Sequence, residues 1–209
     1  MLTLQEQFGP IDVYLFDQIL RHRIVRGMRV LDAGCGYGRN LQYLLREGYE
    51  VFGVDADRGA IEETRALARA FAPTLPERNF RMEAIERMSF PDAFADVVLS
   101  SAVLHFAADE EQFAAMLRSM WRVLRPGGFL FCRLASTIGM THEHVTGRRY
   151  VSPDGAERFL VDEAYLVGWM EQMGGTLLDP IKTTVVQGQR CMTTWVARKG
   201  AAPGQIVSR

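Results

Sequence analysis

From residue 28 onward, short apolar runs alternate with amphipathic stretches, and this rhythm limits the fold more than any other feature of the chain. MRVLDA (28–33) and YEVFGVD (49–55) read as buried strands. Between them, RNLQYLLREG (39–48) places Leu41, Leu44 and Leu45 on one helical face, and Gly48 supplies a left-handed stop. RGAIEETRALARAF (58–71) is the next helix, ending near Pro73, and NFRMEA (79–84) and ADVVLSSA (95–102) are strands. DEEQFAAMLRSMWRVL (109–124) is a helix opened by acids that suit its positive end, and PGG (126–128) turns into the strand FLFCRLA (129–135). The βαβα order predicts an α/β fold: a doubly wound, mostly parallel sheet with helices on both faces.

The end of the chain breaks the rhythm. TLLDPIKTTVVQGQRCMTTWVARK (176–199) reads as two strands around QGQ, a C-terminal antiparallel hairpin. DEAYLVGWMEQMG (162–174) is a helix with Asp162 as its cap. Residues 136–161 are polar with Pro-Asp-Gly at 153–155, which predicts a small hairpin flap. The first 26 residues carry the apolar stripe Ile11, Tyr14, Leu15, Ile19 and predict one helix across the sheet's edge. The expected organisation is a single domain over 1–199, with a helical cap at 1–27, the flap at 136–161 and a solvated tail at 200–209.

Bulk properties bound the partners. The 209 residues suit one core, and a net charge of −1 gives no electrostatic footprint for nucleic acid or an anionic membrane. The expectation is therefore no nucleic-acid and no membrane partner. Cys35, Cys132 and Cys191 are odd in number and lack metal-site spacing. With no basic-then-apolar opening segment, a reduced, cytoplasmic protein is expected. THEH (141–144), with Asp154 and Glu157, has no fixed ligand spacing, so no metal is expected there.

The chemistry concentrates in VLDAGCGYGRN (30–40). A loop leaving the first strand of a parallel sheet lies where such sheets bind ligands. A dinucleotide fingerprint needs a third glycine where Arg39 stands, and a pyrophosphate disfavours the acid Asp32. A ligand with an ammonium and a sulfonium favours it, and S-adenosylmethionine has that shape. Asp55, ending the second strand about twenty residues on, suits ribose hydroxyls.

On these residues the chain resembles the class I S-adenosylmethionine-dependent methyltransferases, with their Rossmann-like fold. The pieces that match, in order, are VLDAGCGYGRN, VFGVDAD, MSFPDAFADVVLSSAVLHF and LRPGGFLF. GCGYGRNLQYLLREGYEVFGVD and the closing TTWVARK are also similar to the small tellurite-resistance-type methyltransferases; their terminal His and Arg are represented only by Arg190. The resemblance implies S-adenosylmethionine as cofactor. Asp32, Gly34 and Gly36 line its methionine end, Cys35 and Asn40 join the cofactor-binding set, Asp55 takes the ribose, and Ala56 lies beside the adenine. The acid usual at the end of the third strand is replaced by Ala84, leaving the Ile85 amide for an adenine nitrogen and Glu83 or Glu86 as substitute acceptors. Ser100 and the stretch to His105 follow under the sulfonium.

Arg39 either grips the cofactor carboxylate or covers surface. His105 is either a general base or a half-buried filler, and Cys35 is a packed residue rather than a nucleophile. The acceptor side is expected to draw on Tyr14, Arg148, Arg149, Tyr150 and Arg190. No Asn/Asp-Pro-Pro-aromatic motif and no Pro-Cys nucleophile is present, so a small-molecule acceptor methylated by direct displacement is the leading expectation. A nicotinamide-dependent oxidoreductase and a non-catalytic S-adenosylmethionine-binding protein are its rivals.

Overall fold

A computed structural model describes residues 3–139, 145–151, 155–187 and 190–201, with the backbone alone at 145 and 146. His142, His144, Asp154 and residues 202–209 of the expected tail lie outside the described residues.

The predicted strands form β1 (Arg29–Ala33), β2 (Glu50–Asp55), β3 (Phe80–Met82), β4 (Ala95–Ser101) and β5 (Leu124–Ala135). They pair in parallel in the order β5-β4-β1-β2-β3. The order reverses between β4 and β2 around β1, which opens a crevice at the carboxyl ends of these strands. The chain's end adds three strands, not two: β9 (Gly175–Leu177), β10 (Lys182–Val186) and β11 (Arg190–Lys199). β11 lies antiparallel to β5, and its far edge pairs with β10 over one stretch and with β9 over another. Gly175, beside the Trp121 ring, leaves room for that extra short strand.

Alternation along each strand assigns its side chains to two faces. Leu31, Ala33 and Val98 face α5 (Glu110–Val123) and α6 (Glu163–Gln172), whose Phe113, Leu117, Leu166 and Met170 complete one core. Val30, Val51, Leu99 and Phe131 form the other core. It is covered by α2 (Val13–Leu20), α3 (Gln42–Arg46) and α4 (Arg58–Phe71). Asp57, Asp109 and Asp162 cap α4, α5 and α6 through the N–H groups of Ala60, Gln112 and Tyr165 at 2.7–2.8 Å.

Two helix expectations were too long. The stretch 39–48 yields only α3, because its first residues turn back on the glycine loop: the Leu41 N–H bonds the Gly38 carbonyl at 2.9 Å. The N-terminal helix is two, α1 (Leu4–Phe8) and α2, broken where Gly9 takes φ +63° just before Pro10. The flap is a three-stranded sheet of β6 (Val145–Thr146), β7 (Arg149–Val151) and β8 (Glu157–Phe159). It rests at the carboxyl edge, with the Arg158 guanidinium 4.7 Å from the Phe106 ring centroid and Arg149 bonded to the Ala108 carbonyl. No helix among the described residues is long and apolar enough to cross a membrane.

Candidate functional site

The glycine loop is held from inside the protein. The N–H groups of Gly34 and Cys35 both reach the Val54 carbonyl at 2.9 Å. Gly36 N–H bonds the Asp55 carboxylate at 2.8 Å, and Gly38 N–H bonds the Cys35 carbonyl at 3.0 Å. These four amides are therefore not a free cradle for phosphate oxygens. The three glycines differ in what surrounds them. A Cβ on Gly34 would meet Val103 at 2.6 Å, and one on Gly38 would meet Leu67 at 2.9 Å, whereas one on Gly36 would meet nothing within 4 Å. All three have positive φ, so the backbone as well as the space favours glycine. Only Gly36 faces open space.

Asp32 is the chemical centre of the crevice. It is 1% exposed, and neither carboxylate oxygen has a hydrogen-bond partner. Burial, with Asp55 adding to it and Arg39 opposing it, pushes its carboxyl up to about 8. An acid so placed costs folding energy unless a cation or donor meets it. Asp55 is half-buried at the end of β2, its second oxygen accepting the Asp57 N–H at 2.9 Å. Ala56 and Ala84 are exposed and Ile85 is buried, all three at the β2–β3 end of the crevice. Ser100, next to last in β4, is buried with its hydroxyl unpartnered. Cys35 packs against Gly53 and Phe80, and burial raises its thiol far out of the reactive range, which fits a packed residue.

Beside this lies a polar cluster that the sequence reading largely missed. Asp12, fully buried, caps α2 through the Tyr14 N–H at 2.9 Å and receives Arg133 at 2.7 Å. Ser101 bonds Asp12 at 3.3 Å and receives Arg39 at 3.0 Å. Asn40 accepts the Asp12 N–H at 3.0 Å, which ties the loop to the cap; its side chain is turned to that bond. Tyr14 bonds Thr184 through its hydroxyl at 2.7 Å and lies under the Arg133 guanidinium. Two signals pointed here. Asp12 precedes an apolar-periodic helix, and Arg133 is a lone charge inside an apolar strand.

Other expected acceptor residues are drawn elsewhere. Arg148 pairs with Asp162 at 3.0 Å and Glu110 at 3.4 Å and stacks on Tyr165, so its charge is answered on the α5–α6 side. Arg149 pairs with Glu157 within the flap. Tyr150 packs with Ile138, Leu160 and Cys191, and Arg190 is exposed at the start of β11. The structure brings Tyr14 to the crevice edge and does not gather these four around it. His105 does not suit a general base. Its Nδ1 accepts the buried Ala135 N–H at 3.3 Å, so the proton sits on Nε2, and burial lowers its pKa to about 4.

Residues 31–132 match the family described as "Methyltransferase domain". The chain is 31% identical over 163 residues to a ubiquinone biosynthesis O-methyltransferase of Methylocella silvestris, covering 69% of this chain and 60% of that one. It is 27% identical over 176 residues to the tRNA 5-carboxymethoxyuridine methyltransferase of Escherichia coli K12, covering 78% and 65%. The chain thus spans less than two thirds of the length of each of these two relatives. Its fold superposes with a TM-score of 0.69 on a Burkholderia thailandensis 1,6-didemethyltoxoflavin-N1-methyltransferase holding S-adenosylhomocysteine, at 20% identity, covering 92% of this chain and 79% of that one. The tRNA enzyme corrects one expectation: nucleic acid is not excluded as a partner. Net charge sums the whole chain, while contact with one modified nucleotide needs only a few local groups.

Proposed function

This chain belongs to the class I S-adenosylmethionine-dependent methyltransferase family, and from that premise we propose that it methylates a small polar acceptor. The observation that carries the reading is Asp32: a buried carboxyl with both oxygens unpartnered, beside the one loop glycine that faces open space. A cationic amino-acid end answers that carboxyl, and a pyrophosphate does not. S-adenosylmethionine supplies a methyl already activated by its sulfonium charge. The chain's part is to bind, align and exclude water, and alignment alone is worth roughly 7–11 kcal/mol. Asp32 would take the ammonium, Gly36 would admit the methionine chain, and Asp55 would take the ribose hydroxyls.

The acceptor would enter between the N-terminal cap (1–27) and the ends of β4 and β5, with the flap (136–161) at the rim of the same single domain. Arg39 and Arg133 lie beside the buried Asp12 there, and their guanidinium groups suit a polar or anionic acceptor. With His105 neutral and its Nδ1 engaged, the reading favours a nucleophile that needs no base.

The test is equilibrium binding of S-adenosylhomocysteine against NAD, followed by transfer of labelled methyl from S-adenosylmethionine to a panel of polar acceptors. Binding of S-adenosylhomocysteine that fails in Asp32→Ala supports the reading. Preferential binding of NAD overturns it in favour of the oxidoreductase. Binding without turnover of any acceptor favours the non-catalytic alternative.

A further inference from the structure

Arg133 is a charge in an otherwise apolar strand segment, and its place follows from the pleat. On the cap side of the sheet, β4 carries Leu99 and then Ser101, and β5 carries Phe131 and then Arg133. β1 carries Val30 and then Asp32 on the same side. Ser101 and Arg133 are in register across β4 and β5, and Arg133 is in register with Thr194 of β11. A polar row therefore crosses the sheet under α2, starting one strand away from Asp32.

The donors and acceptors in this row do not match. Both oxygens of Asp12 are in use. Oδ1 accepts the Tyr14 and Leu15 N–H groups at 2.9 and 3.4 Å, and Oδ2 accepts Arg133 Nη1 at 2.7 Å and the Ser101 hydroxyl at 3.3 Å. A guanidinium offers five N–H donors, and Arg133 commits one nitrogen, Nη1, to Asp12. Its Nε is shielded from solvent without a partner, and its Nη2 makes no hydrogen bond to the described residues. Arg39 bonds Ser101 at 3.0 Å and lies 4.0 Å from the same Asp12 oxygen, so the two guanidiniums border one spot. Tyr14 supports Arg133 from below: its ring centroid is 4.9 Å from the guanidinium carbon, and its hydroxyl is tied to Thr184 at 2.7 Å. Holding α2 needs the Nη1 bond alone. An orphaned Nε costs folding energy that no group in this cluster returns.

We propose that Arg133 is a specificity-determining residue for the acceptor, and that its Nε–Nη2 edge takes a carboxylate which the acceptor carries. The proposal rests on the methyltransferase reading above and narrows its acceptor to a carboxylic acid. A carboxylate is planar and matches that edge with two parallel hydrogen bonds, which a tetrahedral phosphate or a neutral amide does less well. About a fifth of the Arg133 side chain is exposed, at 21%. The carboxylate meets Nη2 first, and the guanidinium turns to offer Nε, which has no bond to lose. Arg39 adds its charge from the rim.

Three small probes test this: benzoate, its neutral counterpart benzamide, and inorganic phosphate. Each is titrated at constant ionic strength into the ligand-free protein and into its mixture with saturating S-adenosylhomocysteine. Calorimetry gives the affinities, and the side-chain Nε–H NMR signal of Arg133, assigned by its loss in Arg133→Lys, reports contact at this residue. The expected result is a saturable shift of that signal with benzoate, which binds at least about tenfold tighter than benzamide or phosphate. Arg133→Lys keeps the charge and loses the fork, so it should bind benzoate about tenfold more weakly than wild type. Benzoate and benzamide binding alike, phosphate binding as tightly as benzoate, or an Arg133 signal that benzoate does not move overturns the proposal and leaves Arg133 as an anchor for Asp12. These wild-type comparisons decide the matter even if the variant fails to fold. Failure of benzoate recognition beside intact S-adenosylhomocysteine binding sinks this proposal alone. Absence of S-adenosylhomocysteine binding sinks the methyltransferase reading, and with it the acceptor role given to Arg133.

Discussion

The Asp55 carboxylate accepts the Gly36 N–H at 2.8 Å, so the last residue of β2 holds in place the loop that leaves β1. The acid assigned to the ribose is also the support of the loop assigned to the methionine end. Asp55→Ala should weaken S-adenosylhomocysteine binding by about ten- to a hundredfold, the loss of roughly 1.5–3 kcal/mol of charged hydrogen bonding. Asp55→Asn, which keeps an oxygen for Gly36, should fall between variant and wild type. Unchanged affinity in a folded Asp55→Ala protein removes Asp55 from the site.

Asp32 makes the ligand-free protein sensitive to alkali. Its folded-state value of about 8 lies above the usual 3.8, so between the two the folded chain holds a proton that the unfolded chain has lost. Stability of the ligand-free protein should therefore fall as pH rises through that window, and Asp32→Asn should flatten the fall. Binding a cation there favours the carboxylate, so at pH 6–7 S-adenosylhomocysteine should displace close to one proton from wild type and none from Asp32→Asn. Calorimetry in buffers of different ionisation enthalpy reads this directly, and equal proton counts would refute it.

His105 has the opposite sign. Burial lowers it from 6.5 to about 4, so the unfolded chain binds the extra proton between those values. Its contribution to stability is complete above about pH 6.5 and is lost as pH falls toward 4. Denaturant midpoints of wild type and His105→Gln should converge at low pH. If His105→Gln instead removes an acidic limb from the pH–rate profile while stability is unchanged, His105 is a base after all.

Gly34 and Gly36 should separate on substitution. Gly34→Ala puts a Cβ 2.6 Å from Val103 at φ +85°, which should lower stability by about 1–3 kcal/mol through overpacking and strain. Gly36→Ala meets no atom within 4 Å and carries roughly 1–2 kcal/mol of backbone strain alone. It should stay folded and lose affinity for S-adenosylhomocysteine. Thermal melting beside binding distinguishes the two, and full affinity in Gly36→Ala would mean that the open space is not the ligand's.

Asp12 secures the cap over the acceptor side. Asp12→Ala removes a helix cap worth about 1 kcal/mol and leaves Arg133 without its anion, so a total loss of about 3–5 kcal/mol is expected. Arg133→Met should cost less, because Asp12 keeps the Tyr14 N–H and Ser101. Urea denaturation of both variants checks the order.

The sequence alone determined the parallel sheet, the place of the glycine loop and the acids at the ends of β1 and β2, because these follow from local period and from residues close along the chain. Asp32 was legible as an acid where a phosphate loop would reject one. That both its oxygens lack partners was not, since this depends on what the folded chain, with Arg39 and Asp55, brings near it. Only the tertiary structure decided that the loop's amides are engaged inside the protein, and that Arg148 answers Asp162 while Arg133 answers Asp12. It likewise gave His105 its backbone partner 30 residues away. Polar side chains choose partners by proximity across elements, and sequence spacing carries no information about a contact between the cap of α2 and β5, 121 residues apart.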